Sequence, residues 1–253
     1  MKPIREPNLP EAPAALCAVS AKADKARRAL EALGVAVIAV TACAALPEPV
    51  ACHADMLLNH AGGRDIFAAC PDAGYCRELE EYGLNVMPAG VELEKSYPGD
   101  IALNIAGIGE YALIGKRCPA SRVSGFYRHS RRCIEVKQGY AKCSTCIVAA
   151  DAVITADRQI CTAARQNGLD ALLISPGGIH IEGYDTGFIG GCCGLLSPSV
   201  LAFCGDVSLL RDGEKIRAFA LEHGVYIEQL TGGEPDDIGG ILPLMQEDRP
   251  AHT

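Results

Sequence analysis

Apolar residues occur along this chain in short runs separated by glycine, proline and acidic residues. Val35-Ala36-Val37-Ile38-Ala39-Val40 is continuously apolar and reads as a buried strand. Before it, Lys25-Ala26-Arg27-Arg28-Ala29-Leu30-Glu31-Ala32-Leu33 predicts an amphipathic helix over residues 21–33, with Gly34 as its C-terminal cap. Residues 1–19, rich in proline and alanine, are expected to wrap the surface.

From residue 55 onward one phrase recurs, an acidic residue opening a short apolar strand. It reads Asp55-Met56-Leu57-Leu58, Asp100-Ile101-Ala102-Leu103-Asn104, Asp185-Thr186-Gly187-Phe188-Ile189 and Asp237-Ile238-Gly239-Gly240-Ile241-Leu242. Ser144-Thr145-Cys146-Ile147-Val148 has the same shape with serine in the acidic slot. The openings lie 41 to 52 residues apart, the signature of an internal repeat.

The first four openings are followed by a strand, a helix and a strand. In the first unit these are residues 65–69, a helix from Pro71-Asp72 to Tyr82-Gly83, and residues 84–88. In the third, residues 146–149 and 152–155 form a hairpin around Ala150-Asp151, Asp157 caps a helix ending at Asn167-Gly168, and residues 169–174 close the unit. The second helix, over residues 121–132, has the weakest apolar stripe, and the fourth unit has a strand at 200–204, a helix at 212–223 and a strand at 225–227. The fifth opening has no helix or closing strand after it, and the segments at 21–33 and 35–40 supply both. The expected fold is therefore α/β: one domain, 1–253, built as a five-bladed pseudo-symmetric α/β propeller of strand–strand–helix–strand units. The chain ends would join to close the ring, which removes exposed sheet edges.

Composition narrows the setting. Of 253 residues 49% are apolar and 21% charged, as in a globular protein. A net charge of −8 argues against nucleic acid and anionic membranes as partners and suits a small cationic ligand. Thirteen cysteines, an odd number spread over a long chain, do not form the dense framework of small secreted domains. Met1-Lys2-Pro3-Ile4-Arg5-Glu6-Pro7 lacks a secretory apolar core, and the apolar run at 35–46 stops short of the roughly 20 residues a membrane helix needs. A reduced, soluble, cytoplasmic protein is expected.

Candidate chemistry gathers at the repeat openings. If first strands line a ring, then His53, Asp55, Asp100, Asn104, Cys143, Ser144, Asp185 and Asp237 converge. The same aspartates equally suit a structural role, bonding backbone amides at turns. His53-x-Asp55 sets an imidazole beside a carboxylate, and His180 is the alternative base. Cys143 adjoins Lys142, whose charge would favour a thiolate. Cys143-Ser144-Thr145-Cys146 has the spacing of a redox pair or half a zinc site, but it enters a strand where a redox motif starts a helix, and a zinc site lacks its second pair. Gly107-Ile108-Gly109 precedes a strand where a dinucleotide fold needs a helix. No metal or cofactor is expected.

Five such units closed into a ring are the architecture of the penteins, the guanidino-group-modifying enzymes. Gly183-Tyr184-Asp185-Thr186-Gly187-Phe188 resembles the His-x-Asp-Thr-x-Phe segment of arginine deiminases, and His53-Ala54-Asp55 resembles the same opening. Residues 139–146 and 175–191 are similar to an uncharacterised bacterial branch of this fold. The resemblance implies a cysteine attacking a guanidinium carbon, a histidine as acid and base, and carboxylates holding the cation. The chain departs from the pattern twice: no cysteine follows Cys204, and Gly183 replaces the fourth-unit histidine. Arg64-Asp65 is similar to the deiminase guanidinium clamp but falls on a second strand. The resulting expectation is an amidinohydrolase or amidinotransferase acting on a small guanidino or amino-acid-derived compound. Cys143 would be its nucleophile, His53 its acid and base, and Asp55 and Asp185 its charge anchors. Asp100, Asn104, Ser144, His180 and Asp237 would contact substrate. The alternative is a non-catalytic ligand- or partner-binding protein on the same fold.

Overall fold

The computed structural model describes residues 1–248. At the N-terminus, β1 (Lys2–Pro3) precedes β2 (Ala14–Ser20), α1 (Asp24–Ala32) and β3 (Ala36–Val40). The apolar stripe of α1 buries Ala26 and Leu30, and Asp24 in its first turn complements the positive end of the helix dipole. A single helical turn, α2 (Ala54–Leu57), then leads into β4 (Leu58–Gly62), β5 (Asp65–Ala68), α3 (Gly74–Glu81) and β6 (Asn85–Pro88). Next come β7 (Ala106–Ile108), β8 (Tyr111–Gly115), α4 (Arg122–Ser130) and β9 (Arg132–Val136). The weak apolar stripe of α4 is offset by a capping box, in which Ser121 and Ser124 each bond the other's backbone N–H. After these come β10 (Cys146–Ala149), β11 (Ala152–Thr155), α5 (Arg158–Gln166) and β12 (Asp170–Leu173). The last elements are β13 (Cys193–Ser197), β14 (Val200–Phe203), α6 (Gly213–Glu222), β15 (Tyr226–Gln229) and β16 (Leu242–Gln246).

The strands form five small sheets with one recurring connectivity. In four of them the first strand pairs antiparallel with the second, and the second pairs parallel with the third. The helix lies between the parallel strands because a parallel pair requires a crossover, whereas an antiparallel pair needs only a hairpin. The fifth sheet draws on both chain ends. There β16 runs antiparallel to β2, β2 runs parallel to β3, and β1 pairs with the other edge of β16. Burial falls from first strands to third. β7 and β16 are wholly buried, whereas β6 and β15 are half-buried to exposed.

The structure corrects several expectations. Residues 14–20 do not wrap the surface; they form β2, in which every residue except Ala15 is buried. The repeated acidic phrases stand in turns ahead of the first strands instead of opening them. Asp55 lies within α2, Asp100 precedes β7 by six residues, Ser144 precedes β10 by two, and Asp237 precedes β16 by five. An aspartate or serine side chain competes for backbone N–H groups, which favours a turn over strand pairing. The fourth phrase is displaced furthest. Residues 181–186 form a loop and the first strand is β13, eight residues beyond Asp185. Gly183, at φ +75°, and the polar residues around it are turn chemistry. Among the described residues, no helix is long and apolar enough to cross a membrane.

Candidate functional site

The segments leading into the first strands meet in a buried polar cluster organised by Asn104. Its Oδ1 accepts the backbone N–H groups of Lys142, at 2.8 Å, and Cys143, at 3.1 Å. Its Nδ2 lies 2.9 Å from Cys143 Sγ and 3.3 Å from the Asp55 carbonyl oxygen. A side-chain amide can accept on one side and donate on the other in this way without carrying charge. Cys143 in turn donates its S–H to Asp55 Oδ2 at 3.0 Å, and the Asp55 backbone N–H bonds the Gly239 carbonyl at 3.0 Å. Loops ahead of β4, β7, β10 and β16 are thus tied together around one sulfur.

Asp237 is held as firmly. Its Oδ2 accepts the Phe188 N–H at 2.8 Å and its Oδ1 the Gly239 N–H at 3.1 Å, while His53 Nδ1 stands 3.8 Å from Oδ1. A Cβ on Gly191 would stand 1.8 Å from Asp237 Oδ1, so this carboxylate can sit here only because residue 191 has no side chain.

Burial sets the charge states. It pushes the carboxyls of Asp55 and Asp237 up to about 6 from the ordinary 3.8. The charges of Lys142 and His53 oppose this at Asp55, and the Phe188 and Gly239 N–H bonds oppose it at Asp237. Burial lowers His53, against the opposing charge of Asp55. Burial also pushes the Cys143 thiol well up, and the charges of Asp55 and Asp237 push it further. The expectation that Lys142 favours a thiolate is therefore corrected. Its buried Nζ lies 3.5 Å from the Gly190 carbonyl, and two carboxylates, not an ammonium, dominate at the sulfur.

Cys143, His53 and Asp237 line a cavity of about 160 Å³ whose other walls are mostly apolar and aromatic, including Val50, Tyr140 and Phe188, with Thr186 also lining it. Asp55 is buried behind the sulfur and does not line it, so it acts through Cys143. The Tyr140 ring packs 5.8 Å from Phe188, and its hydroxyl donates to Asp100 Oδ2 at 2.5 Å. Asp100 thus braces a wall and does not face the cavity.

Three further residues fall elsewhere than expected. Ser144 is buried with its hydroxyl unpartnered among the described residues, and it lines a neighbouring cavity beyond Phe188. Asp185 is exposed on the 181–186 loop, because the turn chemistry there carries it outward. His180 is exposed on a separate groove, where its Nδ1 pairs with Asp236 Oδ1 at 2.9 Å, a bond that raises its pKa. The sequence reading missed Tyr140, Phe188 and Met56 as cavity walls. Phe188 stands in the 183–188 phrase and Tyr140 beside the cysteine pair, but no periodicity marks either. Among the described residues, no group of three or more His, Cys, Asp or Glu side chains is placed to hold a metal ion.

Comparison with known proteins places the fold. The model of a family described as "Family of unknown function (DUF6873)" matches residues 18–242. No curated protein matches the chain significantly. Among solved structures, inosamine-phosphate amidinotransferase from Streptomyces griseus is similar over 99% of this chain and 98% of its own, at TM-score 0.59 and 12% identity. Agmatine deiminase from C. jejuni is similar over 89% of this chain and 90% of its own, at TM-score 0.53 and 9% identity. A saxitoxin-pathway amidinotransferase from Microseira wollei is similar over 98% and 99%, at TM-score 0.52 and 12% identity. At such identities the likeness is one of fold: the chain has the pentein, or guanidino-group-modifying-enzyme, fold.

Proposed function

The chain belongs to DUF6873, a family of unknown function, and from its buried thiol–carboxylate cluster we propose an enzyme of the guanidino-modifying type. It acts as a hydrolase or amidinotransferase on a small cationic compound. The observation carrying this reading is a cavity with a cysteine, a histidine and a carboxylate on its wall and no lysine or arginine among its lining residues. At about 160 Å³ it is smaller than the roughly 300–1,000 Å³ common for ligand pockets, so the ligand is small.

In this reading Asp237 pairs with the guanidinium and takes the anchoring role expected of Asp185. The bound cation offsets the carboxylates that keep Cys143 protonated, so substrate binding itself favours the thiolate. Sγ adds to the central guanidinium carbon as the thiol proton passes to Asp55 Oδ2, 3.0 Å away. The bond to the leaving nitrogen then breaks, and that nitrogen receives the proton with His53 as relay. The positive charge stays on an S-linked amidinium. Attack by water or an acceptor amine breaks the carbon–sulfur bond and returns a proton to the thiol. The finer architecture belongs to the same proposal: five units closed into a ring around this cluster. Support comes from the meeting of the strand-entry segments and the pairing of β16 with β2. The cysteines, all unbridged, suit the reducing cytoplasm.

One observation favours a second reading. The strongly raised thiol also suits a protein that binds a cation and leaves it intact. Amine or ammonia release from guanidino compounds, with acid-quench mass spectrometry of Cys143, separates the two. Catalysis predicts an amidinium adduct on Cys143 and a loss of at least about a thousandfold in Cys143→Ala. Unchanged turnover in that variant refutes the mechanism. Binding with no turnover, and no labelling of Cys143 by a haloacetamidine, supports the second reading.

A further inference from the structure

The rest of the cavity wall specifies more than a guanidinium. Beyond Cys143, His53 and Asp237 it is mostly apolar and aromatic, with Val50, Met56, Tyr140, Ile181, Tyr184 and Phe188 beside a single hydroxyl residue, Thr186, and no lysine or arginine lines it. Lys22 lies near His53, but its ammonium is engaged by the Glu48 carboxylate. The adjoining loop exposes Glu182 and Asp185. A carboxylate on the ligand's tail would lose water against apolar and aromatic surface and gain no cationic partner. It would also share the cavity with the charge of Asp237 and face an acidic rim. Aromatic faces such as those of Tyr140 and Phe188 attract cations and repel anions.

Resting on the guanidino reading above, we infer that the ligand is a carboxylate-free guanidine with a short apolar tail, not an amino acid of the arginine type. The guanidinium sits at Asp237 and Cys143, and the tail lies toward Tyr140, Phe188 and Tyr184. The volume of about 160 Å³ restricts the tail to a short one. The test compares n-butylguanidine with 4-guanidinobutanoate, a similar chain that ends in a carboxylate, by calorimetric titration of the full chain. The expected result is that n-butylguanidine binds at least about tenfold more tightly. Tyr184 is 51% exposed, so Tyr184→Arg should fold normally. A new guanidinium there should improve 4-guanidinobutanoate binding by about tenfold. Equal or tighter binding of 4-guanidinobutanoate to the unmodified protein overturns this inference and leaves the guanidino reading standing. No gain in Tyr184→Arg overturns the placement of the tail. Binding of neither compound overturns the guanidino reading and this inference with it.

A second inference rests on a separate observation. Cys43, three residues beyond β3, and Cys70, just after β5, are both half-buried, with their sulfurs 2.8 Å apart and Cys70 donating to Cys43. A bond of about 2.05 Å needs less than 1 Å of movement. The structure assigns this pair as a disulfide-forming site for a low-molecular-weight disulfide. Cys43 attacks that disulfide and releases one thiol. Cys70 then displaces the second thiol from Cys43, so that two protein thiols are oxidised as one small disulfide is reduced. The bridge would fasten the segment carrying Val50 and His53 to the approach to α3. The protein is treated with oxidised glutathione and its tryptic peptides mapped. A Cys43–Cys70 cross-link forming before any other, with a rise in Tm of several degrees, is expected. Glutathione adducts that persist without the cross-link, a faster bridge elsewhere, or an unchanged or lower Tm each overturn it.

Discussion

Replacing Asp55 with asparagine tests whether a buried carboxylate sets the electrostatics of the site. Asp55 is fully buried, and its carboxyl is pushed up to about 6 from 3.8. Below 3.8 both folded and unfolded chains hold the proton and pH has no effect through this group. Between 3.8 and about 6 the unfolded chain releases the proton while the folded chain keeps it, so stability falls as pH rises. Above about 6 the loss is complete, at about 3 kcal/mol from about 1.4 kcal/mol per pH unit. The side-chain amide of Asp55→Asn cannot titrate, and so the variant escapes this loss. Urea denaturation of both proteins at about pH 4.5 and about pH 8 covers about 2 kcal/mol of that window. The stability of the variant relative to the unmodified protein should therefore rise by about 2 kcal/mol between those conditions. His53, lowered by burial, acts in the opposite direction but is present in both proteins, so the comparison largely cancels it. A gap that stays constant within about 0.5 kcal/mol would refute the reasoning, because it would mean Asp55 titrates alike in both states.

Other predictions follow from the same cluster. Asp55→Asn should also speed Cys143 alkylation by iodoacetamide at about pH 8, by about tenfold, because one of the two charges raising the thiol is gone. Gly191→Ala drives a Cβ into Asp237 Oδ1 and should lose at least about 3 kcal/mol in chemical denaturation. The same change at Gly168, where a Cβ meets nothing but φ is +87°, should lose only about 1 kcal/mol. Asn104→Ala leaves the Lys142 and Cys143 N–H groups buried without an acceptor and should lose about 2–5 kcal/mol by urea titration. A loss under about 1 kcal/mol would show that the amide does not organise the site. His180→Ala should leave n-butylguanidine affinity and Cys143 alkylation unchanged; a loss of either would move the site toward the Asp236 groove.

The chain's local patterns determined much of its architecture. Short continuous apolar runs bounded by turn residues marked the β10–β11 hairpin, and the Asp157 cap and Gly168 bracketed α5, because these signals act within a few residues. The spacing of the acidic phrases revealed the repeat, although those phrases mark the turns before the strands. β2 was not legible: its partners β3 and β16 come from opposite ends of the chain, and only their pairing makes an alanine-rich segment a central strand. The site divides in the same way. His53, Asp55, Asn104, Cys143 and Asp237 could be named in advance because they stand at repeat openings. Asp185 and Ser144 stand at equivalent openings and yet face solvent and a neighbouring cavity, respectively. The state of the cysteine was decided in three dimensions alone. The chain puts Lys142 beside Cys143, but folding turns that ammonium toward Gly190 and brings Asp55 from 88 residues away to the sulfur. Electrostatic energy follows distance and burial, neither of which is a property of sequence neighbours, so residues remote in the chain decide whether this sulfur is a thiol or a thiolate.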